Sequence, residues 1–436
     1  MDWREIYKRR LVSAEEAMQV VKSGDTVVFP HGGEPEALGF ALAARKEEVR
    51  GVKVLLPVPR IDFGWYDPGW EDSFQVIPSF ATAMARKLLD ERRIDYLIET
   101  GGRQFTKPLT ERTGDFPRMD IYLTQVSPPD ANGFCSFGAV RWDKKEMVRR
   151  ARVSIAQVNP RFIRTYGDNF IHVSEITSFV EHESEILERP VIPQEPAVPA
   201  IAQYVSQLIR DGDTIQIGAG TASEGIVGAG ALNDKLDLGL HTERCTRGLV
   251  DLVVNGVITG KRKSLHTGKA IAANFACSAR EETLIDRNPQ FEAYSVEHIN
   301  DIRTIAGHDN FVAINSALAV DFTGQTAAES LGARTWSGPG GQIAFAVGAF
   351  LSHGGRFISC LPSTAAGGKV SRIVPQLDAG TTITVPRTFA DYVVTEYGIA
   401  RLMGKTARER AQGLIAVAHP DFRAELQKAA RKLFWP

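Results

Sequence analysis

The chain has 436 residues, 43% of them hydrophobic and 24% charged, with a formal net charge of -1. That is the make-up of an ordinary globular protein of about two or three domains. It offers no global basic field to recruit nucleic acid or an anionic membrane, so neither is expected as a partner.

The four cysteines, Cys135, Cys245, Cys277 and Cys360, lie far apart with no CxxC pair. They read as reduced intracellular thiols, not a disulfide frame or a zinc site. The opening Met1-Asp-Trp-Arg-Glu5 is charged and lacks a signal-peptide core. No apolar run approaches the ~18 to 20 residues of a membrane span; the richest, Ile343 to Leu351, is short and follows glycines. A cytoplasmic location is the expectation.

In chain order, Ser13-Ala-Glu-Glu16 predicts a capping box, with Ala17, Met18, Val20 and Val21 facing inward and a stop at Gly24. Asp25 to Phe29 reads as a strand ending in the glycine turn Pro30-His-Gly-Gly-Glu34. Strands and helices then alternate through Val52–Pro57, Ala81–Leu89, Tyr96–Glu99 and Ile121–Val126. This is the rhythm of a mostly parallel α/β sheet.

Near Glu188, prolines 190, 193, 196 and 199 recur every third residue, the period of polyproline II. A stiff spacer there predicts a domain boundary: 1–189, a linker over 190–199, and 200–436. After it, Val21-Lys-Ser-Gly-Asp-Thr-Val-Val-Phe29 is answered by Ile209-Arg-Asp-Gly-Asp-Thr-Ile-Gln-Ile217. The echo predicts two similar α/β domains. Thr406-Ala-Arg-Glu409 is a second capping box, and Pro420 suits the first turn of an amphipathic last helix reaching Phe434.

Leu238-Gly-Leu-His-Thr-Glu-Arg-Cys245 carries a carboxylate, Glu243, to the end of a strand-like run, with His241 and Thr242 beside it. Strand ends are where ligands meet an α/β sheet. Such a carboxylate can bind a ribose, move a proton or attack a carbonyl. Gly218-Ala-Gly220 invites a dinucleotide reading with Glu243 as the ribose acid, but Ser223 stands where GxGxxG needs its third glycine. A plain tight turn and a phosphate cradle both remain open for it.

Ser337-Gly-Pro-Gly-Gly-Gln342 predicts a tight loop whose N–H groups can bind an anion or merely turn the chain. In Ser363-Thr-Ala-Ala-Gly-Gly-Lys-Val-Ser-Arg372, Lys369 and Arg372 can meet phosphate or solvent. His172, Glu175, His182, Glu183 and Glu185 are metal-like in composition only and read as a solvated segment, so no metal site is assigned. A GxSxG elbow and a Walker A loop are both missing from the sequence.

The longer motifs resemble a family. Gln125-Val-Ser-Pro-Pro-Asp-Ala-Asn-Gly-Phe-Cys-Ser-Phe-Gly138, Asn159-Pro-Arg161, Ile171-His-Val-Ser174, the stretch through Glu243, Ile314-Asn-Ser316, Gly338-Pro-Gly-Gly-Gln342, Lys369-Val-Ser-Arg372 and Asp391-Tyr-Val-Val-Thr-Glu-Tyr-Gly398 are similar to the acetyl-CoA hydrolase/transferase family. Within it, the 4-hydroxybutyrate and butyryl-CoA:acetate CoA-transferase branch fits best. The segment Gly101-Gly-Arg-Gln-Phe-Thr106 and the pair Ile343-Ala344 after the glycine loop depart from the usual pattern.

The resemblance implies a class I CoA-transferase of two open, mostly parallel α/β domains with the active site in the cleft between them. It places the nucleophile on Glu243 and a catalytic loop contact on Gly341. CoA contacts fall on Gly218, Ala219, Gly220, Thr221, Ala222, Leu318 and Gly341, with Lys369 and Arg372 as further candidates. The substrates implied are acyl-CoA and a short-chain carboxylate (acetate, butyrate or 4-hydroxybutyrate type), with no tightly bound cofactor; a homo-oligomer is compatible with it. A hydrolase using the same glutamate with water, and a non-catalytic nucleotide- or acyl-CoA-binding protein, are the alternatives.

Overall fold

Gly24 and Gly212 show why the two echoed segments fold alike. Each has φ +81°, a left-handed backbone that glycine adopts without Cβ strain. The aspartate after each closes the same small loop. Asp25 Oδ2 accepts the N–H of Lys22 at 2.9 Å, and Asp213 Oδ2 accepts that of Arg210 at 2.6 Å. The structure, a computed structural model, describes residues 2–99, 119–188, 191, 193–275 and 278–436. Pro190, Cys277 and the segment Gly101 to Thr106 lie outside the described residues.

By internal packing the chain forms two compact units, Met1–Glu188 with Ala273–Glu297, and Arg189–Ala272 with His298–Pro436. Chain order alone puts Ala273–Glu297 with the second half. Its bonds go to the first unit instead: the Ala279 N–H donates to Glu188 Oε1 at 2.9 Å, and Asp286 Oδ1 accepts from the Arg164 N–H at 2.7 Å.

In the first unit, β1 (Thr26–Val28), β2 (Val52–Leu55), β3 (Phe74–Ile77), β4 (Ile121–Val126), β5 (Val153–Val158) and β6 (Ser178–Glu181) form a sheet in the order β3-β2-β1-β4-β5-β6, every pair parallel. Parallel sheets are covered on both faces. Accordingly Val27, Ile121 and Leu123 pack into one cluster while Val28, Tyr122 and Val126 pack into another. Tyr96–Glu99, expected among the alternating strands and helices, is irregular. The place beside β2 belongs to Phe74–Ile77, and Leu97 makes a bond from its N–H to Pro78 O at 2.9 Å.

In the second unit, β7 (Thr214–Ile217), β8 (Gly239–Arg244), β9 (Phe311–Ser316), β10 (Arg356–Cys360), β11 (Tyr392–Thr395) and β12 (Gly398–Arg401) run in the order β12-β11-β10-β9-β7-β8. The β7–β8, β7–β9, β9–β10 and β10–β11 pairs are parallel, and β12 returns antiparallel to β11. The order β8-β7-β9-β10-β11 repeats β2-β1-β4-β5-β6 of the first unit. The echo therefore marks equivalent strands. Arg152, just before β5, reaches Asp25 at 3.3 Å, and Arg356, which opens β10, pairs with Asp213 in the same way.

Ser13 and Thr406 both make complete capping boxes. The helix capped by Ser13, Ala14–Met18, is shorter than expected and gives way to a turn before Gly24. The proline stretch runs into a helix at its end. Pro196 lies in a turn, and Pro199 sits in the first turn of the helix Val198–Gln207, where its missing N–H costs no bond. The last helix, Pro420–Phe434, buries Leu426 and Ala430 in a cluster with Leu414 and Ile415. Among the described residues, no helix is long and apolar enough to cross a membrane.

Candidate active site

Strand β8 delivers three residues to one face, since side chains alternate along a strand: Gly239, His241 and Glu243. At Gly239 a side chain would strike Lys263 Cδ and Thr214 Oγ1, each at 2.9 Å. Glycine lets the strand seat closely there. His241 is wholly buried, and Glu243, at the strand's end, is half-buried. The carboxylate thus emerges at the carboxyl end of a parallel sheet, where open α/β folds receive ligands.

Two donors from distant parts of the sequence converge on it. Asn300 Nδ2 donates to Glu243 Oε2 at 2.5 Å. The Gly341 N–H also bonds the carboxylate, and Gly341 is the N-cap of the helix Gln342–Leu351. A helix N-terminus favours an anion through its free N–H groups and its dipole. Burial raises the Glu243 pKa; the Asn300 hydrogen bond, the Arg244 charge and the Gly341 N–H oppose it, in that order. A desolvated carboxylate held this way is a strong base and nucleophile once ionised.

Gly341 has φ -92°, which any residue adopts, so its requirement is for space. A Cβ there would lie 2.6 Å from Asn300 Nδ2, 3.0 Å from Phe345 Cε2, and within clash distance of Glu243 Oε2. Its neighbour Gly340 turns the chain with φ +52°, and a Cβ on it would stand 3.8 Å from Glu243 Oε1.

The turn Gly218 to Gly220 follows β7 and opens the helix Thr221–Gly228. It lies against the end of β9: a Cβ on Gly218 would enter the Asn315 side chain, and one on Gly220, where φ is +145°, would enter Ser316. Ser223, at the position that defeats the dinucleotide fingerprint, has a structural task. Its hydroxyl donates to Gly218 O at 2.7 Å, and its N–H donates to Ser316 Oγ at 2.9 Å. Ala219 and Thr221 are exposed at the turn, and Ala222 is buried. Glu224 links this turn to the strand of Glu243, accepting from the Gly220 N–H at 3.3 Å and from Arg244 Nη2 at 3.2 Å.

Leu318 is half-buried two residues past β9, its N–H bonded to Ala327 O at 2.8 Å. Arg372 sits beside it, donating from Nη1 to Ala317 O at 3.3 Å, and burial lowers its pKa. Lys369 is exposed on the hairpin that joins Thr364–Ala365 to Val370–Ser371. Glu243 and Gly341 are therefore in direct contact, the 218–222 turn is tied to the same strand through Glu224 and Arg244, and Arg372 lies next to Ala317 and Leu318.

Asn300, Glu224, Arg244 and Ser316 did not stand out as site residues in the sequence. Asn300 stands just before the helix Ile302–Ala306, for which Asp301 is the N-cap, and nothing local marks its bond to Glu243. The glutamates of the metal-like segment are engaged in ion pairs: Arg149 with Glu175 at 2.6 Å, and Arg161 with Glu183 at 2.7 Å and Glu185 at 3.0 Å. Among the described residues, no cluster of three or more His, Cys, Asp or Glu side chains is arranged to hold a metal ion.

The chain resembles known proteins over its whole length. Residues 1–193 match the acetyl-CoA hydrolase/transferase N-terminal domain, and residues 281–430 match the C-terminal domain of the same description. The chain belongs to the acetyl-CoA hydrolase/transferase family. It is an enzyme of that family's CoA-transferase group. A 4-hydroxybutyrate coenzyme A transferase of Clostridium kluyveri is 39% identical over 435 residues, with 100% of both chains covered. Among solved structures, RipA from Yersinia pestis superposes with a TM-score of 0.92 at 32% identity over 100% of both chains. A 4-hydroxybutyrate CoA-transferase from Porphyromonas gingivalis superposes with a TM-score of 0.82 at 34% identity, covering 99% of this chain and 100% of that one.

Proposed function

We propose that this family member moves CoA from an acyl-CoA to a short-chain carboxylate of the acetate, butyrate or 4-hydroxybutyrate type, in a ping-pong reaction through a glutamyl-CoA thioester on Glu243. The observation that carries the reading is the Glu243 carboxylate itself, half-buried at the strand end and held by Asn300 and by the N-terminus of the helix Gln342–Leu351. The names of the relatives supply the substrate class.

The exchange is nearly isoenergetic, so it needs a covalent relay and no external energy source. An ionised Glu243 oxygen attacks the thioester carbonyl; the C–S bond breaks, leaving a mixed anhydride and CoA thiolate. The thiolate then attacks the glutamyl carbonyl, releasing the donor acid and leaving glutamyl-CoA. The acceptor carboxylate attacks that thioester, again expelling thiolate and forming a second anhydride. Attack of the thiolate on the new acyl carbonyl gives the product acyl-CoA and restores Glu243.

Each addition creates an oxyanion, for which preorganised N–H donors are the main means of stabilisation. The Asn300 amide and the N–H groups around Gly340 and Gly341 serve in that role. The turn Gly218 to Ala222, Leu318, Lys369 and Arg372 are assigned to CoA. Binding of the CoA tail, remote from the reacting carbon, can force the thioester against Glu243.

The experiment is to mix the protein with acyl-CoA in the absence of acceptor, then trap with borohydride and map the peptides by mass spectrometry. CoA linked to the peptide containing Glu243, or its reduced alcohol, is the expected result. Glu243→Ala should bind CoA and turn nothing over. Turnover that proceeds with the adduct on another carboxylate, or with Glu243→Ala, overturns the reading.

A further inference from the structure

His241 lies behind the site, two residues before Glu243 on the same face of β8, wholly buried. Its Nε2 is 2.7 Å from Ile299 O and its Nδ1 is 3.2 Å from Nε2 of His308. A carbonyl oxygen only accepts, so His241 Nε2 carries the hydrogen. His241 Nδ1 is then an acceptor, and the hydrogen between the rings belongs to His308 Nε2. His308 Nδ1 is left as a bare acceptor, and it is a buried atom without a hydrogen-bond partner among the described residues. The carbonyl of Ile299 thus fixes both tautomers.

We infer that His241 is a positioning residue for the transfer reaction, fixing the Ile299 carbonyl and with it the Asn300 amide that holds Glu243. Ile299 and Asn300 share a peptide unit, so a bond anchoring that carbonyl also sets the direction in which the Asn300 side chain leaves the chain. His241 reaches the other donor as well. Its ring stands edge-on to Phe345, at 6.4 Å between centroids, and edge-on to Phe311 at 5.8 Å. Phe345 lies in the first turns of the helix whose N-terminus bonds Glu243, and its ring is the same one that a Cβ on Gly341 would touch. One imidazole therefore braces both groups that aim the carboxylate.

Burial supports a neutral brace. It pushes the His241 pKa well below the usual histidine value and His308 down to about 3, and the neighbouring histidine and Lys263 charges add to this. A neutral imidazole is required by the assigned tautomer, because a protonated ring would have no acceptor for His308. The role differs from general base catalysis, since the ring faces a carbonyl and another histidine. Second-layer hydrogen bonds of this kind orient the groups that do chemistry.

The inference rests on Glu243 as the nucleophile, and the test separates the two. His241→Leu keeps the volume and deletes both nitrogens; His241→Gln keeps a donor at the Nε2 position, and His241→Asn is too short to reach Ile299 O. We expect kcat to fall by about 10- to 100-fold in His241→Leu, the scale of an ångström misplacement, with the KM for acyl-CoA within about twofold. His241→Gln should restore most of the rate and His241→Asn should not. Placed on Asn300→Ala, His241→Leu should add clearly less loss than it causes alone, the remainder coming through Phe345, because residues acting through one another are non-additive.

If His241→Leu does not fold, the Gln and Asn pair decides: equal rates for both overturn the inference. So does full additivity with Asn300→Ala, or an unchanged kcat in a folded His241→Leu. Trapping of the Glu243 adduct is measured in every variant. Turnover without an adduct on Glu243 overturns the nucleophile and the brace together. An adduct with undiminished kcat in His241→Leu overturns the brace alone.

Discussion

Asn300 donates its amide to Glu243 Oε2 at 2.5 Å across 57 residues of sequence. A hydrogen bond to the charged form of a buried acid lowers its pKa, whereas burial raises it. Here burial is the larger of the two, and the carboxyl lies above its ordinary value. As the proposed nucleophile, Glu243 has to be ionised, so activity should be lost as pH falls through its pKa. Removing the amide in Asn300→Ala shifts that pKa further up. The acid limb of the kcat/KM profile should move to higher pH, and the plateau should drop as well. An acid limb that stays in place or moves down would show that Asn300 does not bond the carboxylate in solution.

Gly341 gives a sharper steric test. Its backbone angles suit any residue, yet a Cβ would press on Glu243, Asn300 and Phe345 together. Gly341→Val should therefore cut kcat by about 100-fold or more, the cost of displacing a reacting group by an ångström or so. Thermal melting should fall somewhat as well, because Gly341 is buried at a helix end and overpacking a filled site costs stability. Kinetics and melting on the same preparation check it; a normal rate with normal melting would show the loop to be only a turn.

Much of the frame was legible because it depends on local chemistry. Ser13 and Thr406 announce their capping boxes within four residues, and the Gly-Asp-Thr echo encodes the same left-handed turn and aspartate loop before β1 and β7. Glu243 itself was visible as a carboxylate closing an apolar run. What stayed hidden is what depends on distant packing. Phe74–Ile77 was overlooked and Tyr96–Glu99 was counted among the regular elements, because both are short apolar runs and only pairing with β2 decides between them. Asn300, Glu224 and Ser316 carry no local mark of their partners, since their contacts are made by the sheet order. The threefold proline spacing was real, but Pro199 serves a helix start equally well.

Glu282 offers a test of the electrostatics away from the site. It is 6% exposed on the helix Ala279–Ile285, and burial, with the Glu188 charge adding, raises its pKa from 4.5 to about 7. The folded state therefore holds a proton that the unfolded chain releases between those values. Its contribution to stability falls as pH rises through that window and is lowest above about pH 7. Glu282→Gln removes the penalty. The variant should melt at a higher temperature than the parent at pH 8, with the gain shrinking toward pH 5. A gain independent of pH, or one larger at pH 5, would show that this carboxyl is not held in its neutral form.

The last test concerns what accepts the acyl group's CoA. Glutamyl-CoA is an activated thioester, and water attacks it wherever solvent has access. Transfer to a carboxylate thus requires that water be excluded while a second acid is admitted. The glycine loop at Glu243 is suited to this: Gly340 and Gly341 carry no charge, and Ile343, Ala344 and Phe345 of the helix that follows are apolar, with Phe345 buried. Acyl-CoA alone should give one equivalent of bound adduct and then stop. Adding acetate or butyrate should restart turnover and raise it by at least about 100-fold, the gain expected when a bound, oriented reactant replaces an unpositioned one. Thiol release, measured with and without the acid, reads this directly. Loss of acyl-CoA at the same rate in both cases would mean that water is the natural acceptor, and the protein would then sit on the hydrolase side of its family.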